Sequence, residues 1–188
     1  MNRALFLDRD GVINVDTGYV GKIEDFRFVD GIFQFCKDIQ SKGYLIIVVT
    51  NQAGIARGYY KEAEFLTLND WMLEQFMLQG VEVTDVYYCP YHPEYGVGEY
   101  KVDSADRKPN PGMILRARDD YCIDLSHSVL VGDKEDDLVA GYKAGVGLIV
   151  FLEGRYSCSP LEFPYDTCCN FQDIVIRVNE RDQVLGGR

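Results

Sequence analysis

In the stretch Phe6-Leu7-Asp8-Arg9-Asp10-Gly11-Val12 two carboxylates stand two residues apart, and Gly11 lets the chain turn directly after them. Asp8 and Asp10 can then project together into one crevice, one placed to attack an electrophile and the other to exchange a proton. Three further polar clusters punctuate the chain: Thr50-Asn51-Gln52-Ala53-Gly54, Arg107-Lys108-Pro109-Asn110-Pro111-Gly112 and Gly132-Asp133-Lys134-Glu135-Asp136-Asp137. Thr50 offers a hydroxyl followed by a loop of backbone amides, and Lys108 offers a fixed positive charge. Both suit a phosphoryl group, whose charge is spread over three oxygens. Gathering Asp8, Asp10 and Asp133 in one place is repulsive without a cation, and an all-oxygen site of this kind suits Mg2+. Taken singly, each cluster has a plainer reading. Asp-Gly after a strand is commonly a turn, Thr50 a helix cap and Lys108 a solvated charge. Asp133 with Asp137 could be an N-cap and a first-turn acid opposing the helix dipole. Their conjunction points to chemistry, since they fall in one order and each lies beside the end of an element.

The elements that must position these clusters read as alternating strands and helices. Short apolar runs at 4–7, 44–49, 86–89, 129–131 and 148–152 are rich in Val, Ile, Leu and Tyr and mostly do not alternate, as strands of a parallel sheet covered on both faces do not. Between them lie helical patterns. Ile32, Phe35, Cys36 and Ile39 share a face before Gly43, and Phe65, Leu68, Met72 and Phe76 mark a longer helix ending at Gly80. Pro111 opens a helix to about residue 121, another spans 134–144 before Gly145, and 170–178 reads as a final helix. The expectation is an α/β fold with a doubly wound parallel sheet, whose site lies beyond the carboxyl ends of the strands. All four polar clusters fall there.

Composition narrows the classes. With 188 residues, no internal repeat and no linker, the chain reads as a single domain, 1–188, large enough to bury a core without staples. No apolar run approaches a membrane span, and the N-terminus lacks the apolar core of a secretory signal, so the expectation is a cytoplasmic protein. The six cysteines, Cys36, Cys89, Cys122, Cys158, Cys168 and Cys169, form no CxxC pair and read as thiols of a reducing compartment. Thirty acidic against 19 basic side chains leave a net charge of -11 with no Lys/Arg run, which argues against nucleic acid or an anionic membrane as partner. An anionic ligand then requires a local reversal of sign.

The four clusters together resemble the haloacid dehalogenase (HAD) superfamily, with a HAD-like Rossmannoid fold. Within it, the chain is similar to the D-glycero-D-manno-heptose 1,7-bisphosphate phosphatases and the related histidinol-phosphate phosphatases. The closer likeness rests on Ile13-Asn14-Val15-Asp16-Thr17-Gly18-Tyr19-Val20, on 50–58, on Tyr87-Tyr88-Cys89-Pro90, on 107–113 and on 131–134. The resemblance implies that Asp8 forms an aspartyl-phosphate and that Asp10 protonates the leaving alkoxide and then activates water. It implies Mg2+ on the Asp8 carboxylate, the Asp10 backbone carbonyl and Asp133. Thr50 and Lys108 would bind the transferring phosphoryl group. Arg107, the loop of Asp16, Thr17, Gly18 and Tyr19, the run Asn51, Gln52 and Ala53, and Lys134 would meet the substrate, a small phosphorylated sugar. The implied setting is nucleotide-activated heptose synthesis for a bacterial lipopolysaccharide or capsule, by an enzyme expected to be a monomer. No large cap domain is implied, since the chain between Asp10 and the second strand is short.

One departure concerns zinc. Zinc-bearing relatives carry a Cys-x-His near the third strand and a Cys-x-Cys before Arg-Lys-Pro. Here Cys89 is followed by Pro90, Tyr91 and His92, and Ser104, Ala105 and Asp106 precede Arg107. With Tyr91, Ser104 and Asp106 at three of four ligand positions, no structural zinc is expected, and the loop must be held by packing or be mobile. His127 reads as structural, Trp71 as core, and the tail from Glu153 onward carries no recognisable chemistry. Two alternatives stand beside the leading reading: a histidinol-phosphate or other small phosphomonoester phosphatase, and a non-enzymatic receiver-like phosphoacceptor domain.

Overall fold

The computed structural model describes residues 1–186 and arranges them about one six-stranded sheet. In chain order the elements are β1 (Arg3–Leu7), α1 (Ile32–Gln40), β2 (Tyr44–Asn51), α2 (Ala53–Ala56), α3 (Glu62–Leu78) and β3 (Val83–Cys89). They continue with α4 (Gly112–Tyr121), β4 (Val129–Gly132), α5 (Glu135–Ala144), β5 (Leu148–Leu152), β6 (Asp166–Cys168) and α6 (Phe171–Gly186). The strand order is β3-β2-β1-β4-β5-β6 and every pairing is parallel. The chain therefore winds outward from β1 to β3, returns to the middle, and winds outward again from β4. That reversal opens a crevice beyond the carboxyl ends of β1 and β4.

Successive side chains of a strand point to opposite faces, and here both faces are buried. Leu5, Leu7, Ile46, Val48, Val129, Val131, Val150 and Leu152 meet α1, α3 and α6 in one apolar layer. Ala4, Phe6, Ile47, Val49, Leu130, Ile149 and Phe151 meet α4 and α5 in the other. Two covered faces explain why the strands show no polar alternation. Trp71 packs at the margin of the first layer, edge-on to Phe26. Between β1 and α1 the chain makes loops and one 3-10 turn at Ile23–Asp25, in keeping with the short spacing that left no room for a cap. Among the described residues no helix is long and apolar enough to cross a membrane.

Several elements differ from the sequence reading: β2 runs on to Asn51, and the short helix α2 stands where a loop was expected. β6 is only Asp166-Thr167-Cys168, without an apolar run, and exists because β5 offers it a ladder. β3 begins at Val83, where its polar start pairs with β2 at the sheet edge. α6 continues to Gly186 rather than ending near Val178, as residues 179–185 are mostly polar, none of them is buried, and they give little periodic signal.

Candidate active site

Asp8 follows β1 directly, its amide donating to the Val131 carbonyl of β4 at 3.1 Å, and its side chain is buried. Lys108 reaches it from the loop before α4. The ammonium donates to Asp8 Oδ1 and to the Val49 carbonyl, both at 2.7 Å, and pairs with Asp137 Oδ1 at 2.5 Å. Asn51 fixes the Lys108 backbone from both sides: its Nδ2 donates to the Lys108 carbonyl at 2.9 Å, and its Oδ1 accepts the Lys108 amide at 3.0 Å. Burial alone would depress the Lys108 ammonium, but the Asp137 and Asp8 carboxylates hold it above its ordinary range, so it stays charged. Burial pushes Asp8 up to about 6, with Lys108 opposing and Asp137 adding to the rise. The arrangement presents an oriented carboxylate beside a fixed cation.

Asp133 closes the crevice from the end of β4. Gly11 sits at φ +102, and a side chain there would run into the Asp133 carboxylate, so both the turn and the close approach require glycine. Neither carboxylate oxygen of Asp133, itself 2% exposed, has a hydrogen-bond partner. Burial and the Asp8 charge push its carboxyl up to about 8. Carboxylate oxygens of Asp8, Asp133 and Asp137 lie within 4.8 Å of one another. Asp137 is committed elsewhere, its Oδ1 to Lys108 and its Oδ2 to the Lys134 amide at 3.1 Å in a capping box that starts α5. Asp8 and the orphaned Asp133 oxygens are therefore the pair left facing an oxygen-loving divalent cation, and Mg2+ fits them. Asp137, read from sequence only as a possible first-turn acid, is the buried counter-charge of Lys108.

The Asp10 carboxylate accepts from Arg9 Nη2 at 2.8 and 2.9 Å, from Asn14 Nδ2 at 3.0 Å and from Gln52 Nε2 at 3.2 Å. Arg9 was not singled out in the sequence reading. Its side chain is fully buried, its guanidinium lies within 6 Å of the Phe26 and Phe65 ring centres, and it also donates to the Val20 carbonyl at 2.7 Å. An arginine between two carboxylates was the signal available for it. Gln52 Nε2 also donates to Thr50 Oγ1 at 2.9 Å, and the Tyr60 hydroxyl donates to Gln52 Oε1 at 2.6 Å. The side chains of Asn51 and Gln52 are thus spent on Lys108, Asp10 and Thr50, while Ala53 opens α2 beside them.

The remaining residues of the sequence reading form the rim. Asp16 accepts from Gly18 N at 2.8 Å, Lys134 Nζ at 3.1 Å and the Tyr156 hydroxyl at 2.9 Å, and Arg155 Nη1 donates to the Asp16 carbonyl at 2.7 Å. The chain beyond Glu153, in which the sequence shows no recognisable chemistry, reaches the site here: Arg155 and Tyr156 strap the loop 16–19. Thr17 and Gly18 are exposed, and Tyr19 is turned by its φ of 52 onto the Tyr59 ring. Arg107 is half-buried and donates to the Tyr91 carbonyl at 3.2 Å. The loop after β3 is held by its own bonds, His92 N to the Tyr100 carbonyl, Val97 N to the Ala56 carbonyl, and the Tyr100 and Tyr88 hydroxyls to Glu62. His92 Nδ1 faces the Glu94 and Tyr95 amides rather than Cys89.

A HAD-hydrolase-like family model matches residues 105–170. A D-glycero-alpha-D-manno-heptose-1,7-bisphosphate 7-phosphatase of Burkholderia mallei is 59% identical over 154 residues, 82% of either chain. A D-glycero-beta-D-manno-heptose-1,7-bisphosphate 7-phosphatase of Vibrio cholerae is 53% identical over 144 residues, 77% of either chain. Among solved structures, a HAD-like phosphatase of Mesorhizobium loti superposes with a TM-score of 0.85 at 36% identity, covering 95% of this chain and 87% of that one. The D,D-heptose 1,7-bisphosphate phosphatase of B. bronchiseptica, complexed with magnesium and phosphate, shares the fold at a TM-score of 0.80 and 24% identity, covering 95% and 99%. With identities this high over four-fifths of both sequences, on a fold and a cluster of acids that agree with them, the chain belongs to the heptose-1,7-bisphosphate 7-phosphatase family of HAD-like hydrolases.

Proposed function

We propose that this protein is a Mg2+-dependent phosphomonoesterase that removes the C7 phosphate of D-glycero-D-manno-heptose 1,7-bisphosphate through an aspartyl-phosphate on Asp8. Relatives named for that reaction at 59% and 53% identity support the substrate. The observation that carries the chemistry is Asp8 itself, buried between the Lys108 cation and the Asp133 carboxylate, whose oxygens accept no hydrogen bond.

An Asp8 oxygen attacks phosphorus in line with the ester bond. As the P–O bond to C7 breaks, its electron pair goes to the sugar oxygen, which takes a proton from the Asp10 carboxyl. Asp10, now a carboxylate, removes a proton from water, whose oxygen attacks the same phosphorus. The bond to Asp8 breaks, phosphate leaves, and both side chains are restored. Lys108 and the Thr50 hydroxyl bind the phosphoryl oxygens, with Lys108 already held at its working place by Asp137 and Val49. Mg2+, held by the Asp8 carboxylate, the Asp10 backbone carbonyl and Asp133, would neutralise charge on the transferring group. Arg107, Lys134 and the loop 16–19 grip the sugar beyond the reacting phosphate. The enzyme acts as a monomer in the cytoplasm.

The test is phosphate release from both anomers of the heptose bisphosphate, with histidinol phosphate as comparator, in Mg2+ and in EDTA. Release from a heptose bisphosphate that vanishes in EDTA is expected. A far higher kcat/KM on histidinol phosphate would overturn the substrate, and full activity in EDTA would overturn the metal.

A further inference from the structure

We infer that Tyr60 is a positioning residue that acts through the Gln52 amide to hold Asp10 and Thr50 in their working geometry; the inference rests on the phosphatase reading above. Gln52 is 1% exposed and its amide touches three polar groups. Oε1 accepts from the Tyr60 hydroxyl at 2.6 Å, while Nε2 donates to Thr50 Oγ1 at 2.9 Å and to Asp10 Oδ2 at 3.2 Å. A terminal amide can turn over and exchange its oxygen for its nitrogen. Turned over, Gln52 would aim an acceptor at the Asp10 carboxylate and leave Thr50 Oγ1 without a donor. The Tyr60 hydroxyl selects against that state, because in donating to the oxygen it fixes which end faces the site. Burial pushes the Tyr60 hydroxyl up to about 12, so it keeps its proton across the working range.

Both partners of Gln52 gain a direction. Thr50 accepts from the amide and so has its own hydroxyl proton to give to a phosphoryl oxygen. Asp10 gains a third anchor beside Arg9 and Asn14. A second observation, independent of the hydrogen bonds, shows that the Tyr60 ring has a built seat. At Gly21 and at Gly54 a side chain would run into the ring, and neither glycine is among those with positive φ. The backbone does not demand glycine at these positions; the ring does. The seat lies between the end of the loop 16–19 and α2, and it holds a side chain outside all four polar clusters.

The test is Tyr60→Phe in the full chain with Mg2+, the ring keeping its seat and only the hydroxyl lost. A misplaced catalytic group commonly costs up to about a hundredfold. We expect kcat/KM on the heptose bisphosphate to fall by roughly tenfold or more, with the circular dichroism spectrum retained. p-Nitrophenyl phosphate, whose phenolate leaves without a proton from Asp10, should lose clearly less. Adding Gln52→Ala to Tyr60→Phe should cost little beyond either change alone, since both act through one amide. Equal losses on the two substrates, no loss, or multiplying losses in the double variant would overturn the inference. Wild-type protein that hydrolyses p-nitrophenyl phosphate but no heptose bisphosphate would instead overturn the substrate reading.

Discussion

Lys108 sits between two buried carboxylates and faces a third, so its charge is needed to keep the site folded as well as to bind phosphate. Removing one partner of a buried ion pair strands the other, at a cost of about 3–5 kcal/mol. Lys108→Met should therefore lower the stability of the metal-free protein by about that much in urea denaturation, and Mg2+ should recover part of it. Asp8→Asn acts oppositely: Lys108 keeps Asp137, one buried charge is gone, and stability should hold or rise while turnover falls by at least roughly a thousandfold. pH adds a third expectation. Asp8 and Asp133 have folded values of about 6 and about 8, raised from 3.8, so across that window the folded metal-free protein binds more protons than the unfolded chain. Its stability must then fall as pH rises, while the gain from Mg2+, which competes with those protons, must grow. Melting temperatures in EDTA and in Mg2+ across this range check both trends; a metal-free protein that gains stability toward pH 8 would contradict them. Asp8, Asp10 and Thr50 could be singled out by residue type and place at the end of a strand, and Lys108 by its place at the entry to a helix. Asp137 could not, because nothing in the run Glu135-Asp136-Asp137 says which acid will be buried.

The strands and the helices between them were legible as elements, since a parallel sheet covered on both faces writes unbroken apolar runs between amphipathic stretches. What escaped were pieces made by their neighbours: β6 exists by pairing with β5, and the segment after β5 gains its role only where Arg155 and Tyr156 cross to Asp16. A contact between residues about 140 apart leaves no local signal. The strap lets one loop fix another without touching Asp8. Arg155→Ala should therefore raise KM for the heptose bisphosphate by about fivefold, the equivalent of about 1 kcal/mol, while kcat stays within about twofold. Steady-state kinetics check this, and a fall in kcat at unchanged KM would place Arg155 in the chemical step instead.

At the scale of the whole molecule, the net charge of -11 and the anionic substrate are reconciled by location. In the crevice and at its rim Asp8, Asp10, Asp16, Asp133 and Asp137 are matched by Arg9, Lys108, Lys134, Arg107 and Arg155, so the site does not share the acidic excess of the chain. The doubly wound sheet makes this possible, because its chain reversal brings together the ends of β1, β2 and β4 and the loop before α4, which are far apart in sequence. Everything in the account depends on Asp8 carrying the phosphoryl group. The direct measurement is a rapid acid quench during turnover of the heptose bisphosphate, followed by mass spectrometry to locate the phosphorylated residue. A transient phosphoryl group is expected on Asp8 and absent from the Asp8→Asn variant; a phosphoryl group on another residue, or wild-type turnover by Asp8→Asn, would rule out Asp8 as the nucleophile.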